Sequence, residues 1–257
     1  MLLKGQAAII TGGARGMGRA IAIRFAAEGA SSCIADVRDK EGDETVKMVK
    51  DKGVDCMYIH TDVTSSASVH AMVAQAIEKF GKIDIMANCA GIGRPPLLIN
   101  EISDEEYDRV IDVNMKGIFL CLRAIAPHMK ENKYGKIINI ASLAGISPAP
   151  MSIHYAAAKA GALYISKCFA LEVARDNIAC NAILPGMIRT DMTADFAPPM
   201  IKDLDEFMGK LAEGIPMKRE GTVEDIANTA LYLASDLSSY VTGSAIEVGG
   251  GMPNHGL

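Results

Sequence analysis

The most constraining feature of this sequence is an apolar strand that runs directly into a glycine turn and then into a helix. The segment Ala7–Thr11 is apolar up to its final threonine, as in a strand buried on both faces of a parallel sheet. Gly12, Gly16 and Gly18 follow, and residues 19–28 have an amphipathic helical pattern. Glycine permits a tight turn here, and backbone amides at the helix N-terminus can then face a pyrophosphate, which the helix dipole also attracts. The pattern predicts a nucleotide-binding parallel sheet.

Strand-like and helix-like segments alternate along the rest of the 257 residues. Apolar runs typical of strands fall at residues 31–36, 56–60, 83–88, 136–141 and 178–184, and helical patterns fall at 66–80, 104–132 and 153–175. The pattern over 104–132 is interrupted near Asn114 and Gly117. This alternation predicts an α/β fold, a doubly wound parallel sheet of about seven strands flanked by helices, in a single domain spanning 1–257.

An acidic residue at the end of the second predicted strand bears on the choice of cofactor. Asp36 lies 18 residues beyond Gly18, close to the offset of about 20 for the acid that hydrogen-bonds the adenosine ribose. Its carboxylate would repel the 2′-phosphate of NADP by about 4 kcal/mol per unit charge at close range. Arg15 and Arg38 could hold that phosphate if Asp36 turned away. We therefore predict NAD, with NADP as the less favoured alternative.

Tyr155 and Lys159 are four residues apart in a predicted helix, so both side chains lie on one face. Free tyrosine has a pKa of about 10, and a fixed cation beside it stabilises the phenolate and lowers that pKa toward the range of a working base. Ser142 adds a hydroxyl donor for an alcohol or carbonyl oxygen. Such Tyr–Lys pairs also occur on solvated surfaces, but the small residues after Tyr155 leave room for a large ligand or a second helix.

In their order along the chain, the motifs resemble those of the short-chain dehydrogenase/reductase (SDR) family. They are Thr11-Gly-x-x-x-Gly16-x-Gly18, Asn88-Cys89-Ala90-Gly91, Asn114, Ser142, Tyr155-x-x-x-Lys159 and Pro185-Gly186, and they cover essentially the whole chain. Cys89 is a departure, because the family more commonly has asparagine there. The resemblance implies a Rossmann-type fold and the interconversion of a secondary alcohol and a ketone by hydride transfer.

The resemblance also implies roles for individual residues. Tyr155 would be the general acid/base, while Lys159 would lower its pKa and bind the nicotinamide ribose. Ser142 would orient the substrate oxygen, and Asn114 would hold a water that links Lys159 to solvent. Asp62 and Val63 would contact the adenine; Ile188 and Thr190 would hold the nicotinamide carboxamide. The residues expected at the cofactor are Gly12, Arg15, Gly16, Met17, Gly18, Asp36, Asp62, Val63, Asn88, Gly91, Tyr155, Lys159, Pro185, Gly186, Ile188 and Thr190.

Without the family, two of these residues have simpler explanations. A buried asparagine such as Asn114 is as often a structural hydrogen bonder, and Asp62 could cap a turn.

We expect an NAD-dependent oxidoreductase that acts on a small-molecule secondary alcohol or ketone. One alternative is a 3-oxoacyl-[acyl-carrier-protein] reductase that uses NADPH, a family sibling of similar length. Asp36 and the acidic balance of the chain argue against that alternative. A further alternative is a non-catalytic protein that senses nucleotides, which the intact Ser142, Tyr155 and Lys159 disfavour.

Two segments are candidates for the substrate pocket. Residues 189–219 resemble a lid over the substrate in relatives, and their apolar members are Met192, Phe196, Pro198, Pro199, Met200, Phe207 and Met208. A Met/Phe pattern at helical spacing is more often ordinary packing. The loop containing Arg94 is the other expected wall, and Arg94 could meet an anionic group. Because relatives pair their long helices and C-terminal strands, the resemblance also implies a homotetramer.

Composition excludes several classes of partner. A net charge of −5 without a basic cluster argues against nucleic acid. The sequence has no apolar stretch of membrane-spanning length and no signal peptide, so we expect a cytoplasmic protein without a membrane partner. Six scattered cysteines suggest reduced thiols. The histidines form no cluster, so no catalytic metal is expected, and His154 should have a structural or rim role beside Tyr155.

Overall fold

One parallel sheet forms the centre of the computed structural model, which describes residues 1–190, 192, 193, 201 and 203–252. Within these residues seven strands pair in parallel in the order β3-β2-β1-β4-β5-β6-β7. Their bounds are β1 Ala7–Thr11, β2 Ser31–Asp36, β3 Cys56–His60, β4 Ile85–Asn88, β5 Gly135–Ile140, β6 Ile178–Pro185 and β7 Ala245–Val248. The predicted doubly wound fold is confirmed.

Helices cover both faces of the sheet. They are α1 Gly16–Ala27, α2 Asp39–Lys50, α3 Ser66–Phe80, α4 Asp104–Ile111, α5 Gly117–Asn132, α6 Ile153–Val173, α7 Leu204–Gly214 and α8 Val223–Ala234. One core cluster joins the sheet to α3, α5 and α6. A second cluster joins the opposite face to α1, α2 and α8. None of the helices in the described part of the chain is long and apolar enough to span a membrane.

The central position of β1 in the sheet explains why its sequence is continuously apolar. Successive side chains of a strand point to opposite faces. Ile9 therefore packs in the cluster with α3, α5 and α6, whereas Ile10 packs in the cluster with α1, α2 and α8. Both are fully buried. A polar residue at either position would enter a core, so the pattern specifies a central strand.

The strand order reverses direction at β1. β2 pairs with one edge of β1, and β4 pairs with the other. In sheets of this type a crevice opens beyond the carboxyl ends of the strands at such a point. The glycine turn after β1 and the segment after β4 both end there, and the fold thus brings together motifs that are distant in sequence.

A π-helical turn, Asp112–Lys116, separates α4 from α5 and matches the predicted interruption. The Asn114 side-chain amide donates to the Val110 carbonyl at 3.1 Å, a group that a regular α-helix reserves for the backbone N–H of residue 114. Met115 of this turn packs on α6 at Gly161, where a methyl group would collide with its sulfur. The small residues of α6 therefore admit a second helical segment.

Candidate active site

Two adjoining cavities open at the carboxyl edge of the sheet, with volumes of about 310 and 330 Å³. The first, which we call the cofactor cavity, extends from the glycine turn past Asp36 to Val63. The second, the substrate cavity, contains Ser142, Tyr155 and Lys159. Residues that line both are Met17, Cys89, Gly91, Thr190 and Met192. Every residue expected at the cofactor lines one of these cavities, with the exception of Asn88.

The glycine turn is shaped so that the backbone itself forms the cavity wall. Gly12 has a φ of +63°, and a methyl group on it would lie 2.7 Å from the Ala90 Cα at the end of β4. A methyl group on Gly18 would collide with the Gly12 carbonyl oxygen. Helix α1 begins at Gly16, inside the turn. Its N-terminal amides therefore face the cavity, as an anion site requires.

Asp36 is held rigidly at the end of β2. One carboxylate oxygen accepts from the Ala14 amide at 3.0 Å and the other accepts from the Arg38 amide at 3.1 Å. Arg15 and Arg38 line the same cavity. Because both carboxylate oxygens are engaged by backbone, turning Asp36 aside to admit a phosphate would cost two charge-assisted hydrogen bonds.

Asp62 and Val63 also line the cofactor cavity, and their contact with the adenine stays a prediction. Asp62 also caps a turn, since its carboxylate accepts from the Thr64 amide at 2.9 Å and the Thr64 hydroxyl at 2.8 Å. Arg109 of α4 also lines this cavity. We did not predict Arg109, because nothing in its local sequence distinguishes it from other exposed helical arginines.

Asn88 lines neither cavity, and its place at the cofactor stays a prediction. It is buried, and its amide donates to Asn139 at 2.7 Å. Asn139 donates in turn to Ser166 of α6 at 2.8 Å. This buried chain joins β4, β5 and α6 beneath the cleft. Asn88 therefore ties strands to the catalytic helix, and sequence alone could not separate that role from cofactor contact.

Ser142 and Tyr155 meet in the substrate cavity through a side-chain hydrogen bond. Ser142 begins a short turn, Leu143–Gly145, and its hydroxyl accepts from the Ala144 amide at 3.1 Å. Gly145 packs on the α6 backbone, where a methyl group would lie 2.8 Å from the Lys159 carbonyl carbon. This close approach sets the serine against the tyrosine.

The pKa of Tyr155 is raised to about 12 by burial, although its hydrogen bond with Ser142 lowers it. The prediction that Lys159 lowers this pKa stays a prediction. The Lys159 ammonium lies 5.6 Å from the centre of the tyrosine ring and donates to the Ile140 carbonyl at 3.0 Å.

Lys159 is itself only 4% exposed. Burial lowers its pKa from 10.5 to about 8, with Cys89 acting weakly in the opposite direction. Burial also raises the pKa of the Cys89 thiol to about 12, so the thiol is protonated near neutrality. Because its pKa is about 8, the Lys159 ammonium loses its proton within the pH range of ordinary enzyme assays.

Asn114 is buried outside both cavities and is well supplied with hydrogen bonds. Besides Val110, its amide donates to the Ile92 carbonyl at 3.1 Å, and its oxygen accepts from the Ile92 amide at 3.2 Å. Gly91 lies between Asn114 and Lys159, because a methyl group there would be 2.9 Å from the Asn114 oxygen and 3.5 Å from the lysine nitrogen. The structure thus gives Asn114 a structural role and leaves its part in proton relay a proposal.

The expected nicotinamide side of the cleft is formed by Pro185, Gly186, Ile188 and Thr190. Thr193 supports it, since its hydroxyl accepts from the Thr190 amide at 2.9 Å and donates to the Ile188 carbonyl at 3.0 Å. Thr193 was not among the predicted site residues. The spacing of two threonines three residues apart was an available signal, because threonine hydroxyls often bond nearby backbone.

The walls of the substrate cavity are mainly apolar. α7 contributes Phe207, Met208 and Leu211, and Met192 also lines the cavity. Phe196, Pro198, Pro199 and Met200 lie outside the described residues. Arg94 pairs with Glu106 at 2.6 Å and lines neither cavity, so the suggestion that it meets an anionic substrate is not supported. His154 lines neither cavity and is buried, consistent with a structural role.

No group of three or more histidine, cysteine, aspartate or glutamate side chains able to hold a metal occurs among the residues that the structure describes. The fold and the site instead define a dinucleotide-dependent oxidoreductase of the Rossmann type. A family model described as enoyl-(acyl carrier protein) reductase matches residues 12–253. Together with the relatives described next, this match shows that the chain belongs to the short-chain dehydrogenase/reductase family.

Curated relatives match nearly the full chain. The 3-oxoacyl-[acyl-carrier-protein] reductase of Staphylococcus epidermidis is 38% identical over 249 residues, which cover 96% of this chain and 98% of the relative. The enzyme of the same name from Thermotoga maritima is 38% identical over 254 residues, covering 98% of this chain and 99% of the relative.

Solved structures share the fold. Levodione reductase superposes with a TM-score of 0.94 at 32% identity, covering 97% of this chain and 98% of the other. NAD⁺-bound xylitol dehydrogenase has a TM-score of 0.91 at 28% identity, covering 98% of this chain and all of the other.

Proposed function

We propose that this protein interconverts a secondary alcohol and a ketone by hydride transfer, with Tyr155 as the general acid/base. The observation that carries the proposal is the meeting of Ser142, Tyr155 and Lys159 in an apolar cavity that adjoins a dinucleotide-shaped cleft. A non-catalytic nucleotide sensor would have no use for a buried lysine beside a hydrogen-bonded Tyr–Ser pair.

A bound nicotinamide supplies the hydride in reduction and accepts it in oxidation. In ketone reduction Tyr155 donates its phenolic proton to the developing alkoxide, and Ser142 donates a hydrogen bond to the same oxygen. The Lys159 cation stabilises the phenolate that remains. Gly91 lies between Asn114 and the Lys159 ammonium, and a water held at Asn114 would return a proton from solvent through Lys159 to Tyr155. In alcohol oxidation these proton movements are reversed.

We propose NAD as the cofactor because Asp36 is fixed by two backbone amides where the adenosine ribose is expected. Its carboxylate would accept hydrogen bonds from the ribose hydroxyls and would repel a 2′-phosphate. Arg15 and Arg38 in the same cavity provide the opposing argument for NADP.

The second candidate is the reduction of a 3-oxoacyl thioester. The names of the curated relatives support this substrate more directly than they support another secondary alcohol. An apolar cavity suits an acyl chain, and the chemistry at Tyr155 is unchanged. The names of the similar structures instead favour a cyclic ketone or a polyol. The two candidates therefore differ in substrate and in cofactor, not in mechanism.

The test is a panel of 3-oxoacyl thioesters, cyclic ketones and polyols, each assayed with NADH or NADPH, or with the oxidised form. Tyr155→Phe should lower kcat at least about a hundredfold, because general acid/base catalysis contributes that much. Tyr240→Phe, at a fully exposed tyrosine that lines neither cavity, is the matched control.

Turnover of one substrate class that is lost in Tyr155→Phe but kept in Tyr240→Phe would establish the reaction. A protein that binds NADH yet converts none of these compounds, or a Tyr155→Phe variant with normal turnover, would refute it.

We also infer that the protein assembles as a homotetramer. A groove of about 640 Å³ runs between α5 and α6, and Phe119, Tyr164 and Leu171 are exposed apolar residues on these helices. Exposed apolar surface of this extent is typical of an interface. Light scattering at micromolar concentration should give the mass of four chains, and a monomer mass would contradict the inference.

A further inference from the structure

Three charged or polar side chains from different elements meet at the N-terminal end of α6, the helix that carries Tyr155. Arg94 belongs to the loop after β4, residues 91–98; Glu106 belongs to α4, and His154 precedes Tyr155 in the first turn of α6. The Arg94 Nε lies 2.6 Å from the Glu106 Oε1, and the His154 Nε2 lies 3.9 Å from the same oxygen. We call these residues the Glu106 cluster.

The cluster is shielded from water. His154 is only 1% exposed, and the side chains of Arg94 and Glu106 are each 23% exposed. The Arg94 Nε, the Glu106 Oε1 and both ring nitrogens of His154 are buried, and none has an aligned hydrogen bond within the described residues. An ion pair in such a place holds its partners strongly, because either charge left alone would be poorly solvated. Burial lowers the pKa of His154, so Glu106 has a single cationic partner near neutrality.

The loop after β4 is fixed at three points. Ile92 is bonded in both directions to Asn114, and the Leu97 amide donates to the Met151 carbonyl at 2.8 Å. Arg94 lies between these two hydrogen-bonded positions, and its ion pair with Glu106 is the third point at which the loop is held. The loop begins at Gly91, which lines both cavities, and Met151 lies just before the helix that carries Tyr155.

We propose that Glu106 is a positioning residue for the reaction. Its carboxylate holds the loop after β4 through Arg94 and faces His154 at the start of α6, and so fixes the Tyr155 turn against the wall that contains Gly91. This inference rests on the proposed function. Glu106 lines neither cavity, and it acts on the reacting atoms only through its two neighbours.

The experiment compares Glu106→Gln, which removes the charge and keeps the shape, with Glu105→Gln. Glu105 is the adjacent, exposed glutamate of the same helix turn, so the control makes the same change in charge. We expect kcat for ketone reduction to fall about 10- to 100-fold in Glu106→Gln, because small displacements of a catalytic group have effects of this size. Glu105→Gln should match the wild type.

NADH titration separates positioning from general loosening of α4. Arg109 and α4 also border the cofactor cavity, so a helix that had come loose would bind NADH more weakly. A positioning role predicts a lower kcat per NADH-binding site with an unchanged dissociation constant for NADH. The double variant Arg94→Glu, Glu106→Arg should recover most of the lost kcat, since it restores the ion pair with the charges exchanged.

Equal kcat in Glu106→Gln and Glu105→Gln would overturn the inference while leaving the proposed function intact. A loss of NADH binding in step with kcat would also overturn it, because Glu106 would then be merely structural. If the wild type converts no compound of the panel, the proposed function fails, and this inference fails with it.

Discussion

Replacing Asp36 with asparagine should move the cofactor preference from NADH toward NADPH. The substitution removes the charge but keeps the shape and one acceptor oxygen. In the structure the carboxylate accepts from the Ala14 and Arg38 amides, at 3.0 and 3.1 Å. The charge therefore stays in one place, and its repulsion of a phosphate depends on the distance and on screening.

Two unit charges 4 Å apart repel by about 4 kcal/mol at an effective dielectric constant of about 20. Asp36 is partly exposed, so solvent and salt screen this repulsion, and we take about half of it, about 2 kcal/mol. For NADH, exchanging a charged acceptor for a neutral one costs about 1 kcal/mol. Together these changes should shift the ratio of the NADPH and NADH dissociation constants by roughly a hundredfold.

Fluorescence titration of both nucleotides measures this ratio directly. Asp39→Asn is the matched control, because Asp39 is a nearby carboxylate, 68% exposed, that bonds to Tyr58 and His60 and does not line the cavity. The reasoning is refuted if the ratio in Asp36→Asn stays within about threefold of the wild type, which is under 1 kcal/mol. A shift of equal size in Asp39→Asn would also refute it, since a general change in net charge would then be the cause.

Two further predictions concern Lys159 and the glycine turn. Because the folded chain lowers the Lys159 pKa from 10.5 to about 8, the unfolded chain binds more protons between these values, so this residue makes the unfolding free energy rise with pH there. Chemical denaturation of Lys159→Met across this window should show a smaller rise than the wild type, and identical slopes would contradict the assignment. Gly18→Ala should weaken NADH binding and lower the Tm, because its methyl group collides with the Gly12 carbonyl. Gly209→Ala, whose methyl group would meet no atom within 4 Å, should leave NADH binding unchanged; similar losses in both variants would argue against the collision.

Features that depend on neighbouring residues in the chain were accessible from sequence. The strand Ala7–Thr11 is buried on both faces, and its continuous apolar pattern reported that directly. The glycine turn was equally clear, because a positive φ at Gly12 and close packing at Gly18 each demand the absence of a side chain. The break at Asn114 was visible as a polar residue within an apolar helical pattern, and it proved to be a π-helical turn.

Features that depend on distant residues were not accessible in this way. Asn88 begins the motif Asn88-Cys89-Ala90-Gly91. The direction of its side chain depends on a hydrogen bond to Asn139, which is 51 residues away in the sequence. Arg109 lines the cofactor cavity only because the fold brings α4 to that edge of the sheet. Nothing in the sequence near Arg94 indicated that Glu106 would neutralise it.

The sequence by itself determined the order of strands and helices, the turn that can approach a phosphate, and the chemical groups available for proton transfer. These follow from local periodicity, backbone freedom and side-chain chemistry. The tertiary structure alone decided the pKa values of those groups and which residues surround them. Burial sets the Tyr155 and Lys159 pKa values, and burial is a property of the assembled fold. Electrostatic energy depends on distance and dielectric environment, and neither exists until the chain has folded.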